Sequence, residues 1–188
     1  FTTFSEKMNA VELTAFLNEY FTEMTEAIFL NHGTIDKYIG DAVMAFWGAP
    51  LEDPDHPVHA VQAALDMEKR LVDFNVRLAR QNKEPVNFGV GIATGMVYAG
   101  DMGSKFRRSY TAMGDDVNLS SRLEGLTKRY FVRCIVSEKT FLAAKERQRT
   151  GRGDFRAGLF SGRCHDADEG RGRFAGEGSG GLYPGEVG

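Results

Sequence analysis

The chain has 188 residues, 42% hydrophobic with 14 Phe, which is enough for one full core, so a single domain is the default and two independent domains would be hard to fit. A net charge of −3, with acids and bases interspersed, gives no general basic field; nucleic acid is not an expected partner, and any anion site must be local. Cys134 and Cys164 show neither a disulfide framework nor metal-ligand spacing, no run of about 18 apolar residues is present, and the first residues are not a signal peptide, so a reducing cytoplasm is the expected setting, with no membrane segment in this chain.

Asn9-Ala10-Val11-Glu12 has the Asn-x-x-Glu form of a helix start, and Leu13, Phe16, Leu17, Phe21, Met24 and Ile28 follow at helical spacing, with Gly33 as a natural stop. Asp36 to Gly48 then reads as strand, tight Gly40-Asp41 turn, strand. A carboxylate at that tip could reach a hydrated Mg²⁺ without being buried. Gly-Asp is also an ordinary turn pair, and Lys37 could be a solvated strand residue.

A proline-punctuated loop, Ala49 to Asp55, leads into a second helix from about His56 to Gln81, with Val61, Ala64, Leu65, Leu71, Phe74 and Leu78 on its apolar face. His56 and His59 at its start read as capping or surface groups, since Mg²⁺ prefers oxygen. Val86 to Ala93 reads as a strand whose two glycines imply close backbone packing, and Met96 to Gly100 as its continuation after a turn. Arg107 to Met113 is a further strand, Gly114 to about Lys128 a helix, Val132 to Val136 a strand, and Ser137 to about Arg147 a helix capped by Ser137. With a strand supplied before Phe1, the order β-α-β-β-α-β-β-β-α-β-α is an α+β fold with helices packed on a sheet.

Residues 151–188 differ in kind, carrying 12 of the 22 glycines with Arg, Asp and Glu and little periodicity. They read as a disordered tail or as the product of a reading-frame error; an Arg/Gly mixture can also bind RNA, but the acids offset much of the basic charge.

Two clusters carry the functional reading. The first is Asp36-Lys37-Tyr38-Ile39-Gly40-Asp41 with Ala45-Phe46-Trp47-Gly48-Ala49-Pro50 behind it. The second is Tyr110-Thr111-Ala112-Met113-Gly114-Asp115-Asp116-Val117-Asn118-Leu119-Ser120-Ser121-Arg122, in which Asn118 and Arg122 share one helix face. In this order and spacing, with Phe1-Thr2-Thr3-Phe4-Ser5-Glu6 at the start, residues 1–147 resemble the catalytic domain of class III nucleotidyl cyclases.

The resemblance implies a ferredoxin-like, palm-type, antiparallel-rich sheet whose first strand is missing from this chain. It implies ring closure of a nucleoside triphosphate, the ribose 3′-hydroxyl attacking the α-phosphate with loss of pyrophosphate, and two Mg²⁺ or Mn²⁺ ions per site. Asp41 matches the second of the family's two metal aspartates; the first would stand four residues before Phe1. Phe1 and Thr2 match positions whose backbone lies near the phosphates. Asn118 matches the residue that orients the ribose, and Arg122 the one that meets the α-phosphate in the transition state. Without the motif, Arg122 would be read as a surface salt bridge with Asp115, Glu124 or a neighbouring acid. Arg107, with Arg108, could add charge near the triphosphate or form a solvated strand edge.

Lys37 only donates and Thr111 can accept, which suits the N1 acceptor and N6 donor of adenine and resembles the family's Lys/Thr adenine-reading pair. ATP is the expected substrate; GTP, or nucleotide binding without turnover, are the alternatives. Because Asp41 and the Lys37, Thr111, Asn118 and Arg122 set belong to opposite subunits in the family, a homodimer with sites at its interface is expected. The family's final hairpin bears a phosphate-binding lysine, and residues 151–188 contain no lysine.

Overall fold

The first helix, α1 (Ala10–Leu30), begins with a complete capping box. Glu12 N–H donates to Asn9 Oδ1 at 2.9 Å, and Asn9 N–H donates to Glu12 Oε2 at 3.2 Å. The structure, a computed structural model, describes residues 8–149 of the chain. From α1 the chain runs through β1 (Thr34–Ile39), β2 (Ala42–Phe46), α2 (His56–Arg80), β3 (Val90–Ile92), β4 (Tyr98–Gly103), β5 (Arg108–Met113), α3 (Asp115–Tyr130), β6 (Cys134–Val136) and α4 (Glu138–Arg149). This is the mixed α+β order expected from the sequence.

The core lies between α1 and α2, where Phe16, Met24, Leu71, Phe74 and Leu78 are buried together with Val86. Burial of side chains of this size is worth about 1.5–3 kcal/mol each, which makes the helix pair the main source of cohesion. Ion pairs fasten its rim: Arg70 reaches Glu23 at 3.0 Å and Glu26 at 2.8 Å, and Arg77 reaches Glu23 at 2.5 Å. Trp47 closes one end by donating its indole N–H to Asn31 O at 2.7 Å. At the start of α2, His59 Nδ1 lies 2.7 Å from Asp53 Oδ2. Burial holds the half-buried His56 below the usual histidine pKa, Asp53 opposing and Arg147 and His59 adding to the effect.

Among the described residues the strands form three two-stranded ladders: β1 with β2 and β4 with β5 antiparallel, β3 with β6 parallel. The free edges of β2 and β3 face a common cavity of about 420 Å³, floored by Ala60, Ala63 and Ala64 of α2. The expected strand over Val86 to Ala93 is shorter, with only Val90–Ile92 in a ladder. The reason is local. The Asn75 side chain accepts from Val86 N–H at 2.8 Å and donates to Val86 O at 2.9 Å, satisfying the backbone that a neighbouring strand would otherwise pair. Gly91 packs on α3 as its glycine implied, since a Cβ there would collide with the backbone of Ser120 and Glu124.

Candidate active site

The β1–β2 hairpin carries a bulge at the residue that matters most. Ile35 pairs with Ala45 and Lys37 with Met44, so Asp36 is the extra residue of β1. A bulge breaks the two-residue alternation, and here Asp36 and Lys37 both reach the same side chain, Thr111 on β5. The Thr111 hydroxyl donates to Asp36 Oδ2 at 2.6 Å, and the Ala112 N–H donates to the same oxygen at 3.0 Å. Lys37 Nζ donates to Thr111 Oγ1 at 3.0 Å and lies 3.2 Å from Asp36 Oδ1. The Asp36 side chain is fully buried, whereas that of Lys37 is 46% exposed. Asp36 Oδ1 has no hydrogen bond among the described residues, and the adjacent ammonium compensates it.

Every proton and lone pair in this triad can be followed. Thr111 has one hydroxyl proton, committed to Asp36, and two lone pairs, one of which takes Lys37. One lone pair remains. Lys37 has three protons, one on Thr111 and one toward Asp36, and its half-exposed ammonium keeps a donor for something outside.

Asp41 stands at the hairpin tip after Gly40, whose φ of +62° favours glycine at the first position of a two-residue turn. The Asp41 carboxylate is exposed and borders the cavity beside β2. Burial pushes the Tyr20 phenol up to about 12, with the charge on Asp41 adding to the effect.

Asn118 and Arg122 lie on the exposed side of α3, opposite its buried Leu123 and Thr127. Neither side chain has a partner among the described residues, and the surface salt bridge that Asp115 or Glu124 could have offered Arg122 is not formed. Arg107 falls in the β4–β5 connection just before β5 rather than in the strand; its carbonyl accepts from Ser104 N–H at 2.9 Å and its side chain region is exposed. Phe1, Thr2 and the Gly/Arg-rich residues 151–188 lie outside the described residues.

The structure thus joins Lys37 to Thr111 directly and leaves Asp41, Asn118 and Arg122 without contacts to one another. Asp36 was not read as functional from the sequence, although it opens the first cluster. Its signal was an acid beside a lysine in an otherwise apolar strand. Among the described residues no group of three or more His, Cys, Asp or Glu is gathered into an all-protein metal cage. Asp41 is one exposed carboxylate, which fits a Mg²⁺ ion that takes its other ligands from water, substrate phosphates and further carboxylates.

Residues 1–158 match the family described as adenylate and guanylate cyclase catalytic domain. The chain belongs to this family, the class III nucleotidyl cyclases. The cyclase domain is 40% identical over 146 residues to adenylate cyclase 1 of Rhizobium meliloti (strain 1021), an alignment covering 78% of this chain and 22% of that protein. Two solved structures resemble it at a TM-score of 0.69. One is the guanylyl cyclase Cya2, 32% identical over 77% of this chain and 72% of that one; the other is the adenylyl cyclase CyaB from P. aeruginosa, 30% identical over 77% and 74%. The cyclase domain spans about a quarter of the length of the curated relatives it matches.

Proposed function

We propose that this domain is an adenylate cyclase, converting ATP to 3′,5′-cyclic AMP and pyrophosphate as the output of an intracellular signalling protein. The observation that carries the reading is the Lys37–Thr111 hydrogen bond at 3.0 Å, because it sets a half-exposed donor beside a buried acceptor. An adenine edge presents the complementary order, N1 accepting from Lys37 and the N6 amino group donating to Thr111. Guanine in the same pose meets Thr111 with an acceptor and Lys37 with a donor.

In the reaction the ribose 3′-oxygen bonds to the α-phosphorus while the bond to the bridging oxygen of the β-phosphate breaks, so pyrophosphate leaves and the 3′-hydroxyl proton is lost. Asn118 holds the ribose, and the Arg122 guanidinium meets the charge that builds on the α-phosphate oxygens. Arg107 adds positive charge near the triphosphate. Mg²⁺ or Mn²⁺, two per site, would lower the pKa of the attacking hydroxyl and neutralise the triphosphate, with Asp41 as one ligand.

The domain works as a homodimer, with Asp41 of one protomer facing Asn118 and Arg122 of the other. The exposure of all three side chains, and the lack of a partner for Asn118 and Arg122 among the described residues, support this. So do the exposed apolar residues around the β4–β5 ladder, Met96, Tyr98, Phe106 and Met113, which a second copy would cover. No helix among the described residues is long and apolar enough to cross a membrane, and a cytoplasmic location is proposed with the substrate. Residues 1–147 form the catalytic unit of this reading, and residues 148–188 stand outside it as a tail or the product of a shifted reading frame.

The test is cyclic AMP formation from ATP by the complete gene product with Mg²⁺ or Mn²⁺. A folded, dimeric protein that makes none would overturn the reading. One rival is a cyclase-like module that binds nucleotide without turnover. Saturable ATP binding with no product would establish that rival instead.

A further inference from the structure

We propose that Asp36 is the residue that makes this site select adenine, acting through Thr111. A threonine hydroxyl is by itself indifferent: it can turn its proton outward and donate, or turn it away and accept. A free Thr111 could therefore serve the N6 amino group of adenine or the O6 carbonyl of guanine. Asp36 removes that freedom. Its buried Oδ2 takes the Thr111 proton at 2.6 Å, within the short range of a hydroxyl bonded to a carboxylate. What Thr111 then shows the base is a lone pair and nothing else.

The fixation is built into the fold. The Ala112 N–H at 3.0 Å holds Oδ2 from the β5 backbone, so the acceptor stays beside Thr111 with or without nucleotide. The other oxygen, Oδ1, lies 3.2 Å from Lys37 Nζ and has no hydrogen bond of its own. That oxygen holds the ammonium next to Thr111, so one carboxylate sets both the donor and the acceptor of the base-reading pair. The β1 bulge makes this possible, because in regular alternation Asp36 and Lys37 would face opposite sides of the hairpin.

Asp36 touches no substrate in this scheme; it is a positioning residue, and it deepens the adenylate reading on which it rests. For guanine, a lone pair of Thr111 opposes O6, and Thr111 has no proton left to offer it. A site built to hydrogen-bond one edge rejects the mismatched one far more strongly than shape alone would allow.

The experiment measures Kd for ATP and GTP by calorimetry, together with kcat/KM for each, on the complete gene product and on Asp36→Ala, Asp36→Asn, Thr111→Val and the Asp36→Ala/Thr111→Val pair. The unsubstituted protein is expected to prefer ATP. Asp36→Ala frees the Thr111 hydroxyl, and the isosteric Asp36→Asn turns an amide N–H₂ toward Lys37. Asp36→Ala should reduce the ATP-to-GTP ratio by about tenfold or more, and Asp36→Asn, whose amide oxygen still accepts from Thr111 and Ala112, should reduce it less, through the displaced Lys37. In the Thr111→Val background, Asp36→Ala should reduce it little further, since the hydroxyl it orients is gone.

An ATP preference left unchanged in both Asp36 variants overturns the role of Asp36 while leaving the adenylate reading in place. Two Asp36 variants that both fail to fold make the residue structural and overturn the proposal as well. A parent protein that binds GTP as tightly as ATP, or binds neither, overturns the adenylate reading and this inference with it.

Discussion

Asn118 and Arg122 stand one helical turn apart on the exposed side of α3, and neither side chain has a partner among the described residues. An arginine exposed in this way contributes little to folding, and surface substitutions of this kind cost about 0.5 kcal/mol or less. Arg122→Ala is therefore expected to leave the melting temperature nearly unchanged and to lower kcat by about 100-fold or more, the loss that follows removal of a transition-state donor. Thermal melting and steady-state kinetics on the same sample check it.

Mixing inactive variants tests the two-protomer site. In a dimer of one Asp41→Ala and one Arg122→Ala protomer, one of the two sites receives an intact Asp41 and an intact Arg122. Random mixing of the two variants should recover about a quarter of the parent activity, although each alone is nearly inactive. A mixture no more active than its components would mean that each site is built within one protomer.

Lys37→Glu replaces the donor of the base-reading pair by an acceptor. Selectivity should move toward GTP, with kcat/KM for ATP falling by about tenfold or more. Because the new carboxylate would lie beside buried Asp36, some loss of stability should accompany it, measurable as a lower urea midpoint.

Much of this fold is readable before any coordinates. Asn9 and Glu12 announce α1 because a capping box is local, and Phe16, Leu71, Phe74 and Leu78 follow helical periodicity into the core. The Gly40-Asp41 turn is equally local. What escapes is what depends on distant chain. Asp36 is left as the bulge residue by the pairing of its neighbours with β2 and is held by bonds to Thr111 and Ala112 some 75 positions on, and neither leaves a mark at spacing two. Residues Val86 to Gly89 look like strand, but the Asn75 side chain captures the Val86 backbone from inside α2. The parallel pairing of β3 with β6 is likewise a long-range choice that an antiparallel-rich expectation does not specify.

The core predicts its own weak points. Phe74 is fully buried against Phe16, with ring centroids 5.6 Å apart. Phe74→Ala should cost about 3–5 kcal/mol in urea unfolding. Asn9→Ala, which removes only the α1 cap, should cost about 1 kcal/mol.

Tyr20 gives the stability a pH dependence at the alkaline end. Its phenol keeps its proton in the folded state up to about 12, while the unfolded chain releases it near the ordinary value of 10. Between those values the native state binds more protons than the unfolded one, so stability is whole below about pH 10 and falls as pH rises toward 12. Tyr20→Phe should flatten that fall, as read from urea midpoints across the range. Cys134, pushed up to about 12 by burial with the charge on Glu68 adding, should resist alkylation at pH 8 until the protein is unfolded.

The most direct measurement of the central claim is a competition in one vessel. The complete gene product is given equal ATP and GTP with Mn²⁺, and both cyclic nucleotides are quantified. The Lys37–Thr111 pair predicts cyclic AMP in large excess; cyclic GMP as the main product would contradict it.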